Sequence, residues 1–246
     1  MIDFVIIELK IWIDKKMEQI EESNDLKNLY SCTKKQPIFV DVPELNFLMF
    51  DGKGHPAEED FQLACEALFT ISYIIKFKIS RKKLDVDYKV NPMEVLWNLE
   101  KGNNKILFSW TMMIRQPDFV NNEVLDEAIQ IALRKLKKIE HIRLYLKKST
   151  KCKCIQAFHL GEYNKMNETL EKMISLAKSK NLDYKQCTHD IYLNDSRKTK
   201  PENLKTIMRL KVFSKKQLMI ENLNSYNTLY RRIIFVAANS PTEQIT

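Results

Sequence analysis

Two stretches, YKVNPMEVLW (residues 88–97) and LFSWTMMIR (residues 107–115), decide the fold prediction. Both are rich in aromatic and β-branched residues, which is typical of strands. Between them Gly102-Asn103-Asn104 supplies turn residues that tolerate a left-handed backbone. The sequence therefore predicts a β-hairpin with strands at 88–99 and 106–116.

Helices are predicted on both sides of this hairpin. Apolar residues at steps of three and four from 58 to 80 indicate an amphipathic helix before it, and a second helix is expected at about 122–136. The segment 37–54 is expected to be extended, with a turn at Asp51-Gly52-Lys53-Gly54.

The second half repeats this order. Strands are predicted at 142–146, 154–160, 185–193 and 206–213, and a helix at 165–180. The segment Pro92–Trp97 aligns weakly with His189–Leu193, which suggests a duplication. We therefore predict an α+β fold of two tandem βαββ modules, with pseudo-twofold symmetry around a central ligand cleft.

Helical extensions are predicted at both ends. Residues 1–28 form the N-terminal one, in which one apolar face carries Ile2, Ile6, Leu9, Ile13, Met17 and Ile20. The domain is expected over 29–213, with modules at about 37–120 and 140–213. Residues 214–246 are expected to be a helical or disordered extension.

Composition restricts the class of protein. The chain has 246 residues and a net charge of +8, and its 44% hydrophobic content is enough for a core. Only four glycines occur, so Gly-rich dinucleotide and phosphate loops are excluded. Five cysteines without a recognisable leader predict a reduced, cytoplasmic protein, and no membrane span is expected.

The positive charge is concentrated in the second half, which raises the question of nucleic acid. No helix-turn-helix, zinc finger or aromatic RNA-binding motif accompanies these lysines. We therefore predict no nucleic-acid partner, and interpret the basic stretches as a solvated face. A monomer or a homodimer is expected.

Two sets of residues are candidates for chemistry. The first, Cys152, Cys154, Cys187 and His189 with His159, has alternating strand spacing but lacks the usual zinc pattern, so no metal and no cofactor are predicted. The second combines aromatic residues with carboxylates: Tyr88, Glu94, Trp97, Trp110, Asp190 and Tyr192. Aromatic walls around one buried carboxylate suit a flat or cationic organic ligand, and such a carboxylate should have a raised pKa. The alternative is that either tryptophan belongs to the core.

At these residues the sequence resembles the GyrI-like small-molecule-binding family over about residues 29–212. The matching stretches are 35–56, 67–76, 88–97, 110–120, 159–163, 189–199 and 205–209. The resemblance implies a central cleft between two modules. Some stand-alone members of the family hydrolyse electrophilic cyclopropane-bearing genotoxins.

The same resemblance suggests roles for particular residues. It places Asp190 and Tyr192 at the catalytic positions, with Trp97 and Trp110 on the aromatic wall. With the residue pattern above, the predicted ligand-binding set is Tyr88, Glu94, Trp97, Trp110, His159 and Tyr163. The family has Glu where this chain has Asp190, and Asp-Pro-Arg-Arg where it has Asp195-Ser196-Arg197-Lys198.

Three functions follow from this pattern as alternatives. The first is a detoxifying hydrolase that binds planar, hydrophobic or cationic xenobiotics. The second is a non-catalytic sponge or sensor for such molecules. The third is a GyrI-like inhibitor of a DNA enzyme.

Overall fold

The structure is a computed structural model, and it describes residues 24–31, 36–102, 105–134 and 143–214. No helix within these ranges is long and apolar enough to cross a membrane. The predicted N-terminal helix at 1–23 and the segment after Ser214 lie outside the described residues.

The chain forms an α+β fold with one antiparallel sheet. In chain order its elements are α1 (Asn24–Tyr30), β1 (Ile38–Val42), β2 (Asn46–Lys53), α2 (Glu59–Ile74), β3 (Met93–Gly102), β4 (Lys105–Arg115), α3 (Asn122–Leu133), β5 (Tyr145–Lys148), β6 (Cys152–Leu160), α4 (Met166–Ser179), β7 (Asp183–Tyr192) and β8 (Lys205–Phe213).

The helix predicted at 58–80 changes character at its C-terminal end. After α2 the backbone continues as a π-helical segment, Ile75–Leu84, which ends where Asp85 adopts a left-handed conformation with φ 52°. A π-helical backbone bonds i to i+5, so its side-chain spacing differs from that of an α-helix. Hydrophobic spacing alone did not predict this change.

The eight strands are ordered β1-β6-β8-β7-β3-β4-β2-β5. Strands β1 and β2 stand six positions apart in this order, yet only residues 43–45 connect them. A flat sheet would separate them by about 29 Å, which exceeds the roughly 14 Å that so short a connection can span. The sheet must therefore curl until its two ends approach each other.

One hydrophobic cluster fills the inside of this curl. It joins Val42 on β1 with Phe47 on β2, Met113 on β4 and Cys154 on β6, and Leu29 of α1 closes it. We call this side of the sheet the concave face. The other side, the helix face, is covered by α2 and α3 at one end and by α4 at the other.

Candidate functional site

The site lies where β3 and β7 meet at the centre of the sheet. In their antiparallel register Met93 is opposite Tyr192, Val95 is opposite Asp190, and Trp97 is opposite Thr188. Residues directly opposite each other point to the same face. Trp97, Asp190 and Tyr192 are therefore brought together on the helix face, between the helices that cover its two ends.

Hydrogen bonds and ring contacts connect these side chains. The Nε1 of Trp97 donates to the hydroxyl oxygen of Tyr192 at 3.1 Å. Phe61 of α2 stacks on Trp97, with ring centroids 5.6 Å apart and planes 11° from parallel. Tyr163 meets Tyr192 edge-on, with centroids 5.6 Å apart. The result is an aromatic wall built from α2, β3, β7 and the turn before α4.

Asp190 is the carboxylate of this site. Its side chain is 4% exposed, and its Oδ1 has no hydrogen-bond partner among the described residues. Burial raises the pKa of Asp190 to about 7, although hydrogen bonds from Thr188 and Trp97 act in the opposite direction. A carboxyl with this pKa exists in both protonation states near neutral pH, which suits general acid–base chemistry.

Tyr192 keeps its proton under the same conditions. Burial, and next the negative charge of Asp190, raise the pKa of its phenol well above the usual value. Because its oxygen accepts the hydrogen bond from Trp97, its own hydrogen is directed to a different acceptor. Tyr192 is therefore a hydrogen-bond donor.

These residues line an open cleft of about 2930 Å³ that runs along α2 and its π-helical extension. This volume exceeds the roughly 300–1,000 Å³ of a pocket for one drug-sized ligand. The carboxylate and the aromatic wall are thus one subsite within a longer groove.

Tyr88 lies farther along the same cleft. It meets Phe119 edge-on at 6.0 Å, and its hydroxyl donates to the backbone carbonyl of Ser72 at 3.5 Å. Burial raises the pKa of its phenol. These contacts hold the ring as part of the cleft lining.

Trp110 lies in a hydrophobic core cluster and is not among the residues that line the cleft. It lies opposite Trp97 on β4, but only 2% of it is exposed. Phe61 packs against it edge-on at 5.0 Å, and its Nε1 donates to the carbonyl of Gly54 at 3.2 Å. Gly52 makes room for the indole, because a Cβ at that position would overlap the ring.

Glu94, which was expected at the cleft, lies on the concave face. It is adjacent to Val95, so it points away from Asp190. It accepts a hydrogen bond from the Tyr30 hydroxyl at 2.6 Å, and the Nε2 of His189 lies 2.6 Å from its other oxygen. Arg209 approaches within 3.9 Å.

These neighbours decide the charge of Glu94. Complete burial alone would raise its pKa, but the hydrogen bond and charge of His189, the charge of Arg209 and the hydrogen bond of Tyr30 together lower it. Glu94 is therefore an ionised, buried carboxylate that is held by its hydrogen-bond partners and balanced by nearby positive charge. Asp190, in contrast, has a raised pKa.

His159 also lies away from the cleft. It is 6% exposed beneath the start of α4, with Nδ1 2.9 Å from the Thr169 hydroxyl and Nε2 3.1 Å from the Glu162 carbonyl. Both ring nitrogens are thus engaged in joining β6 to α4.

The sequence did not single out Phe61 or Thr188 as site residues. Phe61 belongs to the apolar face of α2, where its spacing is that of an ordinary core residue, and only the sheet geometry places it on Trp97.

The turn after β7 is closed by Arg197, which donates to both carboxylate oxygens of Asp195 at 3.0 and 2.9 Å.

Within the described ranges no group of three or more His, Cys, Asp or Glu side chains is placed to hold a metal ion. The sulfurs of Cys152 and Cys154 are 3.7 Å apart on the concave face. His159 is on the helix face, so it does not join them.

The curled antiparallel sheet and its central cleft define a small-molecule-binding domain of the α+β class. The particular family is the one described as the GyrI-like small molecule binding domain, whose model matches residues 35–212. The chain belongs to this family.

Solved structures from Listeria innocua are similar to the chain. An uncharacterized conserved protein is 36% identical with a TM-score of 0.69, and a protein described as a hydrolase is 36% identical with a TM-score of 0.68. Each alignment covers 76% of this chain and 96% of the Listeria chain. A comparison with curated proteins finds no match.

Proposed function

We propose that this protein binds flat, hydrophobic or cationic xenobiotics in its central cleft and hydrolyses those that carry an electrophilic cyclopropane. The observation that supports this most is the state of Asp190. It is a nearly completely buried carboxylate beside a stacked pair of aromatic rings, and one of its oxygens has no hydrogen-bond partner in the part of the chain that the structure describes.

Binding would rest on the aromatic wall. Trp97 and Phe61 present rings on which a flat ligand can stack, and Tyr163 closes the opposite side. A cation over an aromatic face gains about 0.5–2 kcal/mol, depending on how far it is desolvated. An ionised Asp190 would add charge complementarity for such a cation.

Hydrolysis would use Asp190 as the base and Tyr192 as the donor. Asp190 takes a proton from a water molecule, whose oxygen attacks a ring carbon of the cyclopropane. The ring C–C bond breaks, and its electron pair moves through the conjugated system to the ligand carbonyl. Tyr192 stabilises the oxyanion by a hydrogen bond, and the proton from Asp190 completes the addition of one water.

The hydrolase from Listeria, 36% identical, supports a hydrolytic reading of the cleft. The replacement of the family Glu by Asp190 favours the alternative, a binding protein without turnover. Aspartate is one methylene shorter, and a misplacement of about 1 Å at a reacting centre can cost about 100-fold in rate.

We also propose that the cleft lies between two related modules. The series β2-α2-β3-β4 and β6-α4-β7-β8 have the same order, and their strands are arranged in space as β3-β4-β2 and β7-β8-β6. The edge strands β1 and β5 each pair with the first strand of the other series. This exchange supports a pseudo-twofold axis between β3 and β7.

Mass spectrometry of a duocarmycin-type cyclopropane compound incubated with the protein tests the proposal. We expect the compound to gain one water. Asp190→Asn should slow this by 100-fold or more, which is the usual scale for loss of a general base. Glu66→Gln, at an exposed carboxylate that also lines the cleft, is the matched control and should retain the rate.

Two results would reject the hydrolase. One is unchanged compound, and the other is equal turnover by Asp190→Asn. If the same compound quenches tryptophan fluorescence without being turned over, binding without catalysis is the function that remains.

A further inference from the structure

Two thiols lie side by side inside the curl of the sheet. Cys152 and Cys154 alternate along β6, so both point to the concave face, while Lys153 between them is exposed on the other side. Their sulfur atoms are 3.7 Å apart. We call these two residues the thiol pair. The described residues that line the cleft of Asp190 do not include either of them.

The spacing of the thiol pair fits two ligands of one metal ion. Two metal–sulfur bonds of about 2.3 Å that meet at a tetrahedral angle place the sulfur atoms about 3.8 Å apart. The observed separation of 3.7 Å is close to this value. An ion can therefore bind both sulfurs without a change in the path of β6.

Thioether sulfurs belong to the same buried surroundings. Met49 of β2 and Met113 of β4 are opposite each other in the sheet register, and both belong to the hydrophobic cluster that contains Cys154 and contacts Cys152. They are 5% and 3% exposed. Methionine is unbranched and adaptable, and its sulfur is a ligand for soft metal ions. The cluster therefore offers a third sulfur donor in addition to the thiol pair.

This set of donors selects among metal ions. Zinc is usually held by four Cys, His, Asp or Glu side chains, and no group of three or more of these is assembled in the part of the chain that the structure describes. Thiolate and thioether ligands together favour monovalent copper, Cu(I). The donors on the concave face therefore fit a soft monovalent ion better than zinc.

Nearby charges suit a bound form with two thiolates. The contact with Cys152 and then burial raise the pKa of the Cys154 thiol, whereas the charges of Arg209 and Lys211 lower it. A metal ion displaces the thiol protons when it binds. Two thiolates and one Cu(I) carry one net negative charge, which the positive charges of Arg209 and Lys211 offset.

The thiol pair can be reached from one end of β6. Cys152 is the first residue of this strand and is half-buried, and Thr150 and Lys151 in the turn before it are exposed. Cys154 is 4% exposed, so it lies deeper along the strand. An ion that enters past Cys152 is therefore enclosed against the hydrophobic cluster.

We propose that Cys152 and Cys154 bind one Cu(I) ion on the concave face, with the thioether of Met49 or Met113 as a third ligand. The ion enters in its monovalent state, so no electron is transferred. Two S–H bonds break, two Cu–S bonds form, and two protons leave to the solvent. This site is separate from the cleft, and it does not depend on the reaction proposed for Asp190.

Anaerobic titration of the reduced full chain with Cu(I), in competition with the chromogenic chelator bicinchoninate, tests the proposal. We expect one ion per chain. X-ray absorption of the loaded protein should show sulfur atoms alone around the copper, at about 2.3 Å. Zn(II), titrated in the same way with a zinc-binding dye, should bind at least about 100-fold more weakly, because the site lacks a full set of zinc ligands.

Matched variants connect the ion to the named sulfurs. Cys152→Ala and Cys154→Ala should each weaken Cu(I) binding by more than about 100-fold, since even an outer partner of a metal ligand is worth about 10–100-fold. Met49→Leu/Met113→Leu should weaken it about tenfold. Cys65→Ala, at a half-buried cysteine of α2, is the control and should retain the affinity. Circular dichroism checks the fold of each variant, and Cys152→Ala, at the more exposed position, carries the test if Cys154→Ala does not fold.

Four results would overturn the proposal. These are the absence of Cu(I) binding at a ratio of one per chain, wild-type affinity in Cys152→Ala, wild-type affinity in Met49→Leu/Met113→Leu, and nitrogen or oxygen neighbours around the copper. Tighter binding of Zn(II) than of Cu(I) would also contradict the choice of ion.

Discussion

At the scale of single residues, two buried carboxylates have opposite environments. Asp190 has a raised pKa and an oxygen without a hydrogen-bond partner within the described ranges, while Glu94 is hydrogen-bonded to Tyr30 and His189 and has a lowered pKa. They lie on adjacent strands but on opposite faces of the sheet. Burial alone therefore does not distinguish the two carboxylates. The hydrogen-bond partners of their oxygens distinguish the group proposed as reactive from the one that is held in the fold.

The raised pKa of Asp190 predicts a cost to stability that depends on pH. The unfolded chain ionises this group near 3.8, whereas the folded protein does so near 7. The contribution of Asp190 to the free energy of unfolding is therefore fully present below about pH 4, decreases as the pH rises to about 7, and is lost above it. At pH 8 the cost is about 4 kcal/mol, since one pKa unit is about 1.36 kcal/mol.

Asp190→Asn should remove this cost. We expect its free energy of unfolding in urea to exceed that of the wild type by about 4 kcal/mol at pH 8, and by much less at pH 4. Glu66→Gln should show no such difference between the two pH values. Equal effects of Asp190→Asn at both pH values would mean that the carboxylate is not desolvated.

Residue parity explains which site residues the sequence could predict. Strand periodicity places Asp190 and Tyr192 on one face of β7, and the register of β3 against β7 places Trp97 on the same face. The sequence prediction also grouped Glu94 with them, although Glu94 is three positions from Trp97 on β3 and so points to the opposite face. Trp110 lies directly opposite Trp97 and so points to the same face, but its burial depends on Phe61 and Gly52, which no strand pattern reveals.

At the scale of elements, α1 is attached to the sheet through a polar network. The Tyr30 hydroxyl donates to Glu94, and the Arg209 guanidinium donates to the Leu29 carbonyl at 2.7 Å and to Gln156 at 2.7 Å. The Arg209 charge lies over the Tyr30 ring at 5.4 Å. A helix of seven residues is too short to be stable alone, so these contacts fix its position.

Substitutions in this network should destabilise the fold. Tyr30→Phe removes one hydrogen bond to a buried carboxylate, and we expect a loss of about 1–3 kcal/mol. Glu94→Gln leaves Arg209 buried without its counter-charge, and about 3–5 kcal/mol is expected. Urea unfolding measures both.

Tyr145→Phe is the control for this prediction, since its hydroxyl donates to the exposed Asp51 at 2.8 Å. Its removal should cost less than Tyr30→Phe. Ligand affinity should stay within about twofold of wild type in Glu94→Gln, because Glu94 faces away from the cleft. A large loss of affinity without a loss of stability would place this network in the ligand site.

At the scale of the whole molecule, hydrophobic periodicity predicts the helices and most of the strands, because the spacing of apolar residues in each element follows the face that the element buries. The pairing of β1 with β6 and of β5 with β2 could not be predicted, since it joins residues about a hundred positions apart in the chain. That pairing curls the sheet, and the curl leaves the central strands exposed between the helices. The cleft is thus a property of the whole fold, although its chemistry belongs to a few residues.

The central claim is that this cleft holds a base that ionises near neutral pH and activates water. The rate of water addition to a duocarmycin-type cyclopropane compound, measured at saturating protein from pH 5 to 9, tests it most directly. We expect a rate that rises about tenfold per pH unit below a midpoint near 7 and is constant above it, which is the profile of a single general base. A rate independent of pH, a midpoint near 4, or no water addition at any pH would contradict it.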